Sequence, residues 1–463
     1  MKFAFGLLAA TIAVPAAAAD DLTNFRALYK ELVEINTTLS VGSCTDAAKA
    51  MQARLKAAGY SDKDMLLVVP PGMPKKGNLV AVLHGTDKAA KAILLLAHID
   101  VVEAKRADWK RDPFKLTEEN GMFYGRGASD DKAMAAVFTD NMIRYKKEGL
   151  KPKRDIKLAL TCGEETPHDF DGAQYLAEKH RPWVEAEFAL NEGAGGRLDK
   201  DGKHLALDIQ AGEKIYQDFQ LEATGPGGHS SRPTKGNNPL YHVAAALSRI
   251  EAYEFPVAIN AVTKANFEKT ALVDKPNADD LKAAAATADA EAVARVARDP
   301  SRNSMMRTTC VATQIEGGHA PNALPQRTRA NVNCRVLPGV PMEEIRQQLI
   351  KVIADPTVEV TAIGAPGFNA PVPALTPKIL GPATQVAAKL WPDVPLIPAM
   401  STGATDGRYL NEAGIPTVGL SGMFHGPEGA GAHGLDEHIR VQSLYDGREF
   451  LYQVVKLYAD QAS

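Results

Sequence analysis

The sequence is poor in cysteine and aromatic residues, and it has no large excess of charge of either sign. Four of its 463 residues are cysteine, 6% are aromatic, and the formal net charge is −3. Four cysteines are too few for a disulfide scaffold in so long a chain, and no CxxC or Cys/His zinc pattern occurs. Any metal must therefore be held by oxygen and imidazole ligands. Without a basic run we expect no nucleic-acid partner.

Long hydrophobic runs are also missing. The chain opens with MKFAFGLLAATIAVPAAAAD, in which Lys2 precedes an apolar stretch at 3–14 and a short run of alanines. This pattern is typical of a secretory signal peptide cleaved before Asp20. The apolar stretch is well short of the roughly 20 residues that a membrane span needs, and no later segment is a candidate. We therefore predict a signal peptide at 1–19, a periplasmic or secreted mature protein, and no membrane partner.

The rest of the composition is that of an ordinary globular protein too long for one core, so we expect two domains. Hydrophobic strands at 92–100 (AILLLAHID), 155–165 (DIKLALTCGEE) and 187–195 (EFALNEGAG) alternate with helical segments. Alternation of this kind predicts an α/β fold with a mostly parallel sheet covered by helices. Polar residues at the carboxyl ends of such strands line the active-site crevice.

From about residue 211 the pattern changes to amphipathic strands and helices, which predicts an inserted α+β domain. We place the catalytic domain at 20–210 and 367–463 and the inserted lid or dimerisation domain at 211–366. The Ala-rich segment at 283–298 is most simply one helix. The extension at 253–306 either shapes the pocket or forms a subunit contact. Cys310 and Cys334 lie in two β-like runs, and their sulfurs could meet if those strands pair.

The strand AILLLAHID ends in His98 and Asp100, which period-two geometry places on one face. A histidine ligand commonly has its second ring nitrogen held by a carboxylate or carbonyl, so Asp100 is a plausible partner of His98. The segment YGRGASDDKAM then places Asp130 and Asp131 at the start of a helix. Packed carboxylates repel one another unless a cation or the helix N-terminus compensates. Asp131 fits a helix cap, and Asp130 is the better metal candidate.

Two further strand ends carry acids, Glu164 and Glu165 after the second strand and Glu192 after the third. Adjacent side chains point in different directions, so one glutamate can bind metal while its neighbour faces water. Far downstream, His433 lies in the Gly-rich segment HGPEGAGAHGLDEHI. Each motif alone fits a solvated loop. Together they supply two imidazoles and several carboxylates, the mix expected of a paired zinc site.

These motifs, in this order, resemble the co-catalytic zinc metallopeptidase family of aminoacylase, acetylornithine deacetylase, succinyl-diaminopimelate desuccinylase, glutamate carboxypeptidase and carboxypeptidase S-like enzymes. The resemblance runs over nearly the whole mature chain. It implies two Zn²⁺ per subunit, with Co²⁺ or Mn²⁺ as possible substitutes, and a homodimer formed through the inserted domain. Five positions match the family's metal ligands: His98, Asp130, Glu165, Glu192 and His433.

By this resemblance Asp130 bridges the two ions, Glu165 and His433 complete one, and His98 and Glu192 hold the other. Asp100 orients His98. The general base would be Glu164, which takes a proton from water and returns it to the leaving nitrogen.

The resemblance extends to the inserted domain and to one later loop. His229 in TGPGGHSSRP resembles the family histidine that stabilises the oxyanion, often in the partner subunit's site. Arg335 and Asn322 resemble residues that meet the substrate's carboxylate and the oxyanion, and the guanidinium of arginine is suited to a carboxylate. Gly403 and Thr405 lie in MSTGATDGRYL, which resembles the family's substrate loop.

These features together predict metal-dependent hydrolysis of an amide bond next to a free carboxylate, in an N-acyl amino acid or a short peptide. Glu192 slightly favours the N-acyl amino acid, because glutamate is commoner than aspartate there in the family's deacylases. A carboxypeptidase or dipeptidase is the first alternative, since it would use the same metals. A non-catalytic metal-binding protein is the remote alternative, since its mark would be a broken ligand set or a missing base.

Overall fold

The computed structural model describes residues 16–166, 169–364 and 372–461, with the backbone alone for 16–19. Most of the predicted signal peptide and the predicted boundary at 366/367 lie outside the described residues. No helix in the described part of the chain is long and apolar enough to cross a membrane.

The first part of the chain builds most of a large sheet and the helices against it. Its elements in order are α1 (Ala16–Glu34), α2 (Cys44–Ala57), β1 (Met65–Val68), β2 (Asn78–Leu83), β3 (Ile93–His98), β4 (Thr117–Glu119), β5 (Met122–Tyr124), α3 (Lys132–Lys147), β6 (Ile156–Thr161), α4 (Gly172–Lys179), α5 (Arg181–Val184), β7 (Phe188–Asn191), β8 (Gly196–Leu198) and β9 (His204–Glu213).

The middle part forms a second sheet and a group of helices. Its elements are β10 (Ile215–Thr224), β11 (Gly228–His229), α6 (Pro239–Glu251), α7 (Ala261–Thr270), α8 (Ala278–Thr287), α9 (Ala290–Val296), α10 (Pro300–Met306), β12 (Thr309–Gly317), β13 (Ala323–Leu324), β14 (Arg327–Val336), α11 (Met342–Ile353) and β15 (Val358–Ile363). The chain then returns to the large sheet with α12 (Pro377–Leu390), β16 (Leu396–Ser401), α13 (Gly407–Glu412), β17 (Thr417–Gly419), β18 (Phe424–His425), β19 (His438–Arg440) and α14 (Val441–Asp460).

The large sheet has the strand order β1-β2-β6-β3-β7-β17-β9-β8-β18, with β16 paired to β9. Its central strands β6, β3, β7 and β17 are parallel, and antiparallel pairs flank them. Alternate residues of β3 enter different cores, with Ile93 and Leu95 on one face and Leu94 and Leu96 on the other. A strand buried on both faces reads as a continuous apolar run, which is how β3 reads. The predicted α/β class with a mostly parallel, helix-covered sheet is confirmed.

The second sheet has four antiparallel strands in the order β12-β14-β10-β15. Phe219 and Leu221 of β10 pack with α6 and α11, while Asp218 and Glu222 alternate with them and bind polar partners. This period-two division is what an antiparallel sheet with one covered face requires. The change from the large sheet to this sheet falls between Glu213 and Ile215.

The 253–306 extension forms a small helical unit with its own core. Asn266 of α7 donates to the Pro398 carbonyl of β16 at 2.7 Å, so the unit packs against the large sheet. The prediction of a single helix at 283–298 is wrong. Ala288 takes a left-handed φ of 51° and Asp289 caps α9, so the segment is two helices. Alanine composition favours helix, but it does not show where an aspartate starts a new one.

Two disulfides cross-link the chain. Cys310 and Cys334 are directly opposite in the β12/β14 ladder and are bonded, as the sequence allowed. Cys44 and Cys162, 118 residues apart, form the second bond, for which the sequence indicated no partner. This bond ties the start of α2 to the residue that follows β6.

We expect Cys44→Ala/Cys162→Ala to lower the free energy of unfolding by about 4 to 5 kcal/mol, against about 3 to 4 for Cys310→Ala/Cys334→Ala. The longer closed loop restricts the unfolded chain more. Denaturant unfolding of the two double variants measures both losses. A larger loss in the Cys310/Cys334 variant would contradict this ranking.

Candidate metal centre

The predicted metal ligands come together at one edge of the large sheet. His98 ends β3, Glu165 lies just past β6, and Glu192 directly follows β7. Because parallel strands end at the same edge, their following residues meet in space. Asp130 precedes α3, and His433 reaches the same place from the loop before β19.

His98 and His433 approach Asp130 from opposite oxygens. His98 Nε2 lies 3.1 Å from Asp130 Oδ1 and 3.7 Å from Glu192 Oε1. His433 Nε2 lies 3.2 Å from Asp130 Oδ2 and 2.9 Å from Glu165 Oε2. Each imidazole nitrogen thus faces one oxygen of the shared carboxylate and one terminal glutamate. This arrangement provides two adjacent sets of donors with Asp130 common to both.

The other nitrogen of His98 meets the main chain, not the Asp100 carboxylate. Its Nδ1 lies 3.1 Å from the Asp100 carbonyl oxygen and 3.7 Å from Asp100 Oδ1. The Asp100 carboxylate instead accepts the Glu165 amide through Oδ2 at 3.0 Å. Asp100 therefore positions His98 through its backbone and Glu165 through its side chain.

A buried glutamate that the sequence did not single out holds the turn before α3. The Glu437 carboxylate accepts from the amides of Gly127, Ser129 and Asp130 at 2.8 to 3.1 Å, and from Arg126 Nη1 at 2.7 Å. Its side chain is 1% exposed. The peptide bond from Asp130 to Asp131 is cis. The one available signal was an acid four residues after His433 in GLDEHI.

Charge accumulates at this edge. Burial, with the negative charges of Asp131 and Asp130, raises the pKa of Glu192 well above its usual value. Burial opposes protonation of His98, yet the carboxylates of Glu192 and Asp130 raise its pKa. Hydrogen bonds that the imidazole of His433 donates to the carboxylates of Asp130 and Glu165 raise the pKa of His433 to about 10. So many acids around two imidazoles are what a multivalent cation would stabilise.

The donor atoms also fit such a cation. Ligand atoms of His98, Asp130 and Glu165 lie within 4.8 Å of one another, and so do those of His98, Glu164 and Glu192. Asp100 Oδ1 and Asp131 Oδ2 are buried without a hydrogen-bond partner among the described residues. Mixed imidazole and carboxylate donors suit zinc and its neighbours better than calcium, which prefers oxygen alone.

Glu164 lies beside this cluster. Burial and the neighbouring acids Asp406 and Glu165 raise its pKa to about 8. Cations held by the adjacent ligands would favour its ionised form again, since an opposite charge lowers a carboxyl pKa. The side chain is thus placed beside the metal ligands as a group that can exchange a proton near neutral pH.

A second missed feature is a pair of buried acids behind Glu164. Asp406 Oδ2 accepts from the Thr161 hydroxyl at 2.7 Å, and the carboxyl of Asp171 lies close enough to affect the pKa of Asp406. Burial and the charge of Asp171 raise the pKa of Asp406, so its carboxyl can donate to the Asp171 carboxylate. The hydrogen bond between Thr161 and Asp406 joins the end of β6 to the start of α13. Asp406 stands inside the quoted loop MSTGATDGRYL, but nothing in the sequence pairs it with Asp171.

The residues predicted from the inserted domain gather in two places. His229 is exposed in β11, which pairs with β13, and its Nδ1 accepts from the Ser231 amide at 3.1 Å. Asn322 lies beside it and accepts the Ser230 amide through its carbonyl at 3.0 Å. Neither side chain bonds a metal-ligand candidate within the described residues. Their roles toward the oxyanion stay predictions.

Arg335 lies on β14 opposite Tyr216, with its guanidinium 4.7 Å from the ring centre. Arg335 is half-buried, and burial lowers the pKa of its guanidinium. The positive charge of Arg408, a second cation that sequence reasoning missed, lowers this pKa further. Thr405 is buried. Its hydroxyl donates to Glu213 Oε2 at 3.0 Å and accepts from Asn191 Nδ2 at 3.1 Å.

Thr405 thus connects elements behind the site. Gly403 donates its amide to Ser401 Oγ at 3.1 Å. Direct substrate contact by either residue stays a prediction.

Comparison with known proteins gives matches over most of the chain. The human N-fatty-acyl-amino acid synthase/hydrolase is 28% identical over 387 residues, which cover 81% of this chain and 75% of that protein. The structure of an M20 family metallo-carboxypeptidase from Sulfolobus solfataricus aligns with a TM-score of 0.69 at 21% identity, covering 95% of this chain and 99% of the other. A dinuclear metal-binding peptidase of the M20 family from Bacillus subtilis aligns with a TM-score of 0.61 at 12% identity, covering 95% and 98%.

The model of Peptidase family M20/M25/M40 matches residues 94–457, well over half of the chain. That range contains every predicted metal ligand, the whole second sheet and all strands of the large sheet from β3 onward except the first residue of β3, Ile93. The prediction of an amidohydrolase of this family is confirmed, and the chain belongs to Peptidase family M20/M25/M40.

Proposed function

We propose that this enzyme binds two zinc ions and hydrolyses an amide bond next to a free carboxylate in a small substrate, an N-acyl amino acid or a short peptide. The observation that carries the proposal is the shared carboxylate of Asp130, with one oxygen facing His98 and the other facing His433. The names of the relatives support both substrate types, since one acts on fatty-acyl amino acids and another is a carboxypeptidase.

His98, Asp130 and Glu192 would hold one ion, and His433, Asp130 and Glu165 the other. Two divalent ions at such a site supply Lewis-acid chemistry and make water more acidic. Glu164 would accept the proton of the attacking water and pass it to the amide nitrogen as the bond breaks. Asp100 keeps His98 and Glu165 aligned during this step, since it bonds both.

Two cationic side chains support recognition of a carboxylate. Arg335 is stacked on Tyr216, and Arg408 lies near enough to act on its charge. A guanidinium held in this way has lost much of its rotational freedom, which favours a fixed contact with a planar carboxylate.

The proposal is tested by supplying the zinc-loaded protein with N-acyl amino acids and dipeptides, each with a free or an amidated C-terminus. We expect amidation to lower kcat/KM by about 10- to 100-fold, because a charge-assisted hydrogen bond is lost. The ratio of acyl to dipeptide cleavage then identifies the substrate branch. Arg335→Met should reduce the difference in kcat/KM between the free and the amidated substrates. Equal cleavage of free and amidated substrates would contradict the proposal.

We also propose export and a homodimer formed through the inserted domain. Two disulfides and the MKFAFGLLAATIAV start support export, because disulfides persist in oxidising compartments. Edge strand β12 exposes Val311 and Ile315 by 60% and 58%, which supports pairing between copies. Mass spectrometry of exported protein should show a chain starting at Asp20, and light scattering should give twice the chain mass. A retained Met1 or a monomer would contradict the respective proposal.

A further inference from the structure

A cavity of about 270 Å³ opens beside the metal centre on the side of Glu192. Asp130 and Glu192 line this cavity together with Met423 and His425. Its volume is that of roughly nine liquid waters, which is enough to hold a side chain or a short acyl group. The part of this space beyond the two proposed ligands has no role in the proposed hydrolysis.

The short strand β18 determines which of its two side chains points into the cavity. Phe424 is fully buried in the main core against Trp391, 4.7 Å between ring centres. Gly196, directly opposite in β8, leaves room for this ring, because a Cβ there would lie 2.0 Å from it. Successive side chains of a strand point to opposite faces, so His425 must point the other way, into the cavity.

His425 is half-buried, and neither ring nitrogen has a hydrogen-bond partner among the described residues. The neighbouring Ser421 differs, since its hydroxyl donates to the Ala194 carbonyl at 2.6 Å and accepts the Met423 amide at 3.2 Å. An imidazole that lines a cavity and bonds no described protein group is free to bond a ligand that enters the cavity.

The surroundings of His425 limit what that partner can be. Burial and the nearby charges of His438 and Arg440 lower the pKa of the imidazole, so it is neutral near pH 7. A neutral imidazole offers one donor and one acceptor. Met134, Met423 and Ala194 supply apolar surface beside the polar groups that line the cavity. The cavity therefore suits an apolar stem with an uncharged polar end.

We propose that this cavity is a substrate subsite for an uncharged group with an apolar stem, and that His425 determines specificity by hydrogen bonding to the polar atom at the end of that group. This proposal rests on the proposed function in one respect: the scissile amide of the substrate would lie at the metal ligands. The subsite itself is defined by the cavity wall.

Binding to the zinc-loaded Glu164→Gln protein tests the subsite without turnover. Two matched pairs place the group on either side of the amide: N-(4-oxopentanoyl)- against N-(4-methylpentanoyl)-L-alanine, and N-acetyl-L-glutamine against N-acetyl-L-homoleucine. Within a pair the shape is the same and the polar end differs. Calorimetry gives each Kd with His425 present and with His425→Phe added. His180→Phe, at the residue between α4 and α5 and outside the cavity lining, is the matched control.

The cavity lies on one side of the amide, so we expect discrimination in one of the two pairs. In that pair the polar compound should bind about five- to tenfold more tightly than the apolar one, as one net hydrogen bond allows. His425→Phe should bring that ratio to within twofold, while His180→Phe leaves it unchanged. Equal affinities in both pairs, or no binding of any of the four compounds, would overturn the proposal.

Tighter binding of N-glutaryl-L-alanine than of the oxopentanoyl compound would overturn the uncharged class. Cleavage by the protein with Glu164 intact is measured separately. Absent cleavage with preserved discrimination would count against the proposed hydrolysis and not against the subsite.

Discussion

Glu164→Gln is expected to lower kcat by about two to four orders of magnitude while the bound metal and the fold stay unchanged. The amide is nearly the same size as the carboxylate but cannot accept the proton of the attacking water, and general acid-base catalysis contributes about this much. KM should change little, because no proposed substrate contact is removed. Steady-state kinetics on the best substrate of the panel, with metal content measured on the same sample, gives the result.

The adjacent residue provides the matched control. Glu165 is a proposed metal ligand, with its Oε2 2.9 Å from His433 Nε2, whereas Glu164 is the proposed base. Glu165→Gln should therefore lose metal along with activity, and added zinc should restore part of it. If Glu164→Gln kept more than a tenth of the wild-type kcat, or lost metal as Glu165→Gln does, the assignment of the base would be wrong.

Asp130→Asn is expected to lose both metal ions and to reduce activity by at least about a thousandfold. Each oxygen of Asp130 faces a different histidine, so its removal weakens both sets of donors at once. Loss of Lewis-acid assistance is worth several kcal/mol in the transition state. The variant should also lose the rise in Tm that zinc gives the wild-type protein, since only a ligand that binds the folded state stabilises it.

Metal analysis by mass spectrometry and thermal unfolding with and without zinc measure both effects. Asp62→Asn is the control, because it changes one exposed carboxylate paired with Lys56. Removing the metal from the wild-type protein with a chelator should reproduce the loss of activity, and zinc should reverse it. Retention of one full metal equivalent by Asp130→Asn would show that the two sets of donors are independent and that Asp130 does not bridge.

Much of the fold could be predicted because its signals are local. The strands at β3, β6 and β7 were visible as apolar runs, and the ligands His98, Glu165 and Glu192 stand next to their ends. The helix boundary at Ala288 was missed, because propensity is uniform along an alanine-rich stretch and the break depends on one left-handed residue.

The contacts that hold the site were harder to predict. Glu437 binds the turn before α3 from 307 residues away, and Asp100 uses its backbone for His98 and its carboxylate for Glu165. An acid followed by a turn carries no mark of which distant amide it will accept. Neither contact has a periodicity or a spacing that could reveal it.

The sequence by itself determined the chemical groups of this protein, their order along parallel strands and its membership in a family of metal-dependent hydrolases. Side-chain periodicity and strand ends are short-range properties, so they can be read from the order of residues. Only the tertiary structure decided that Cys44 meets Cys162, that Asp130 divides its oxygens between His98 and His433, and that His425 faces a cavity. Those facts depend on packing between segments far apart in the chain, where differences of an ångström decide which atoms meet.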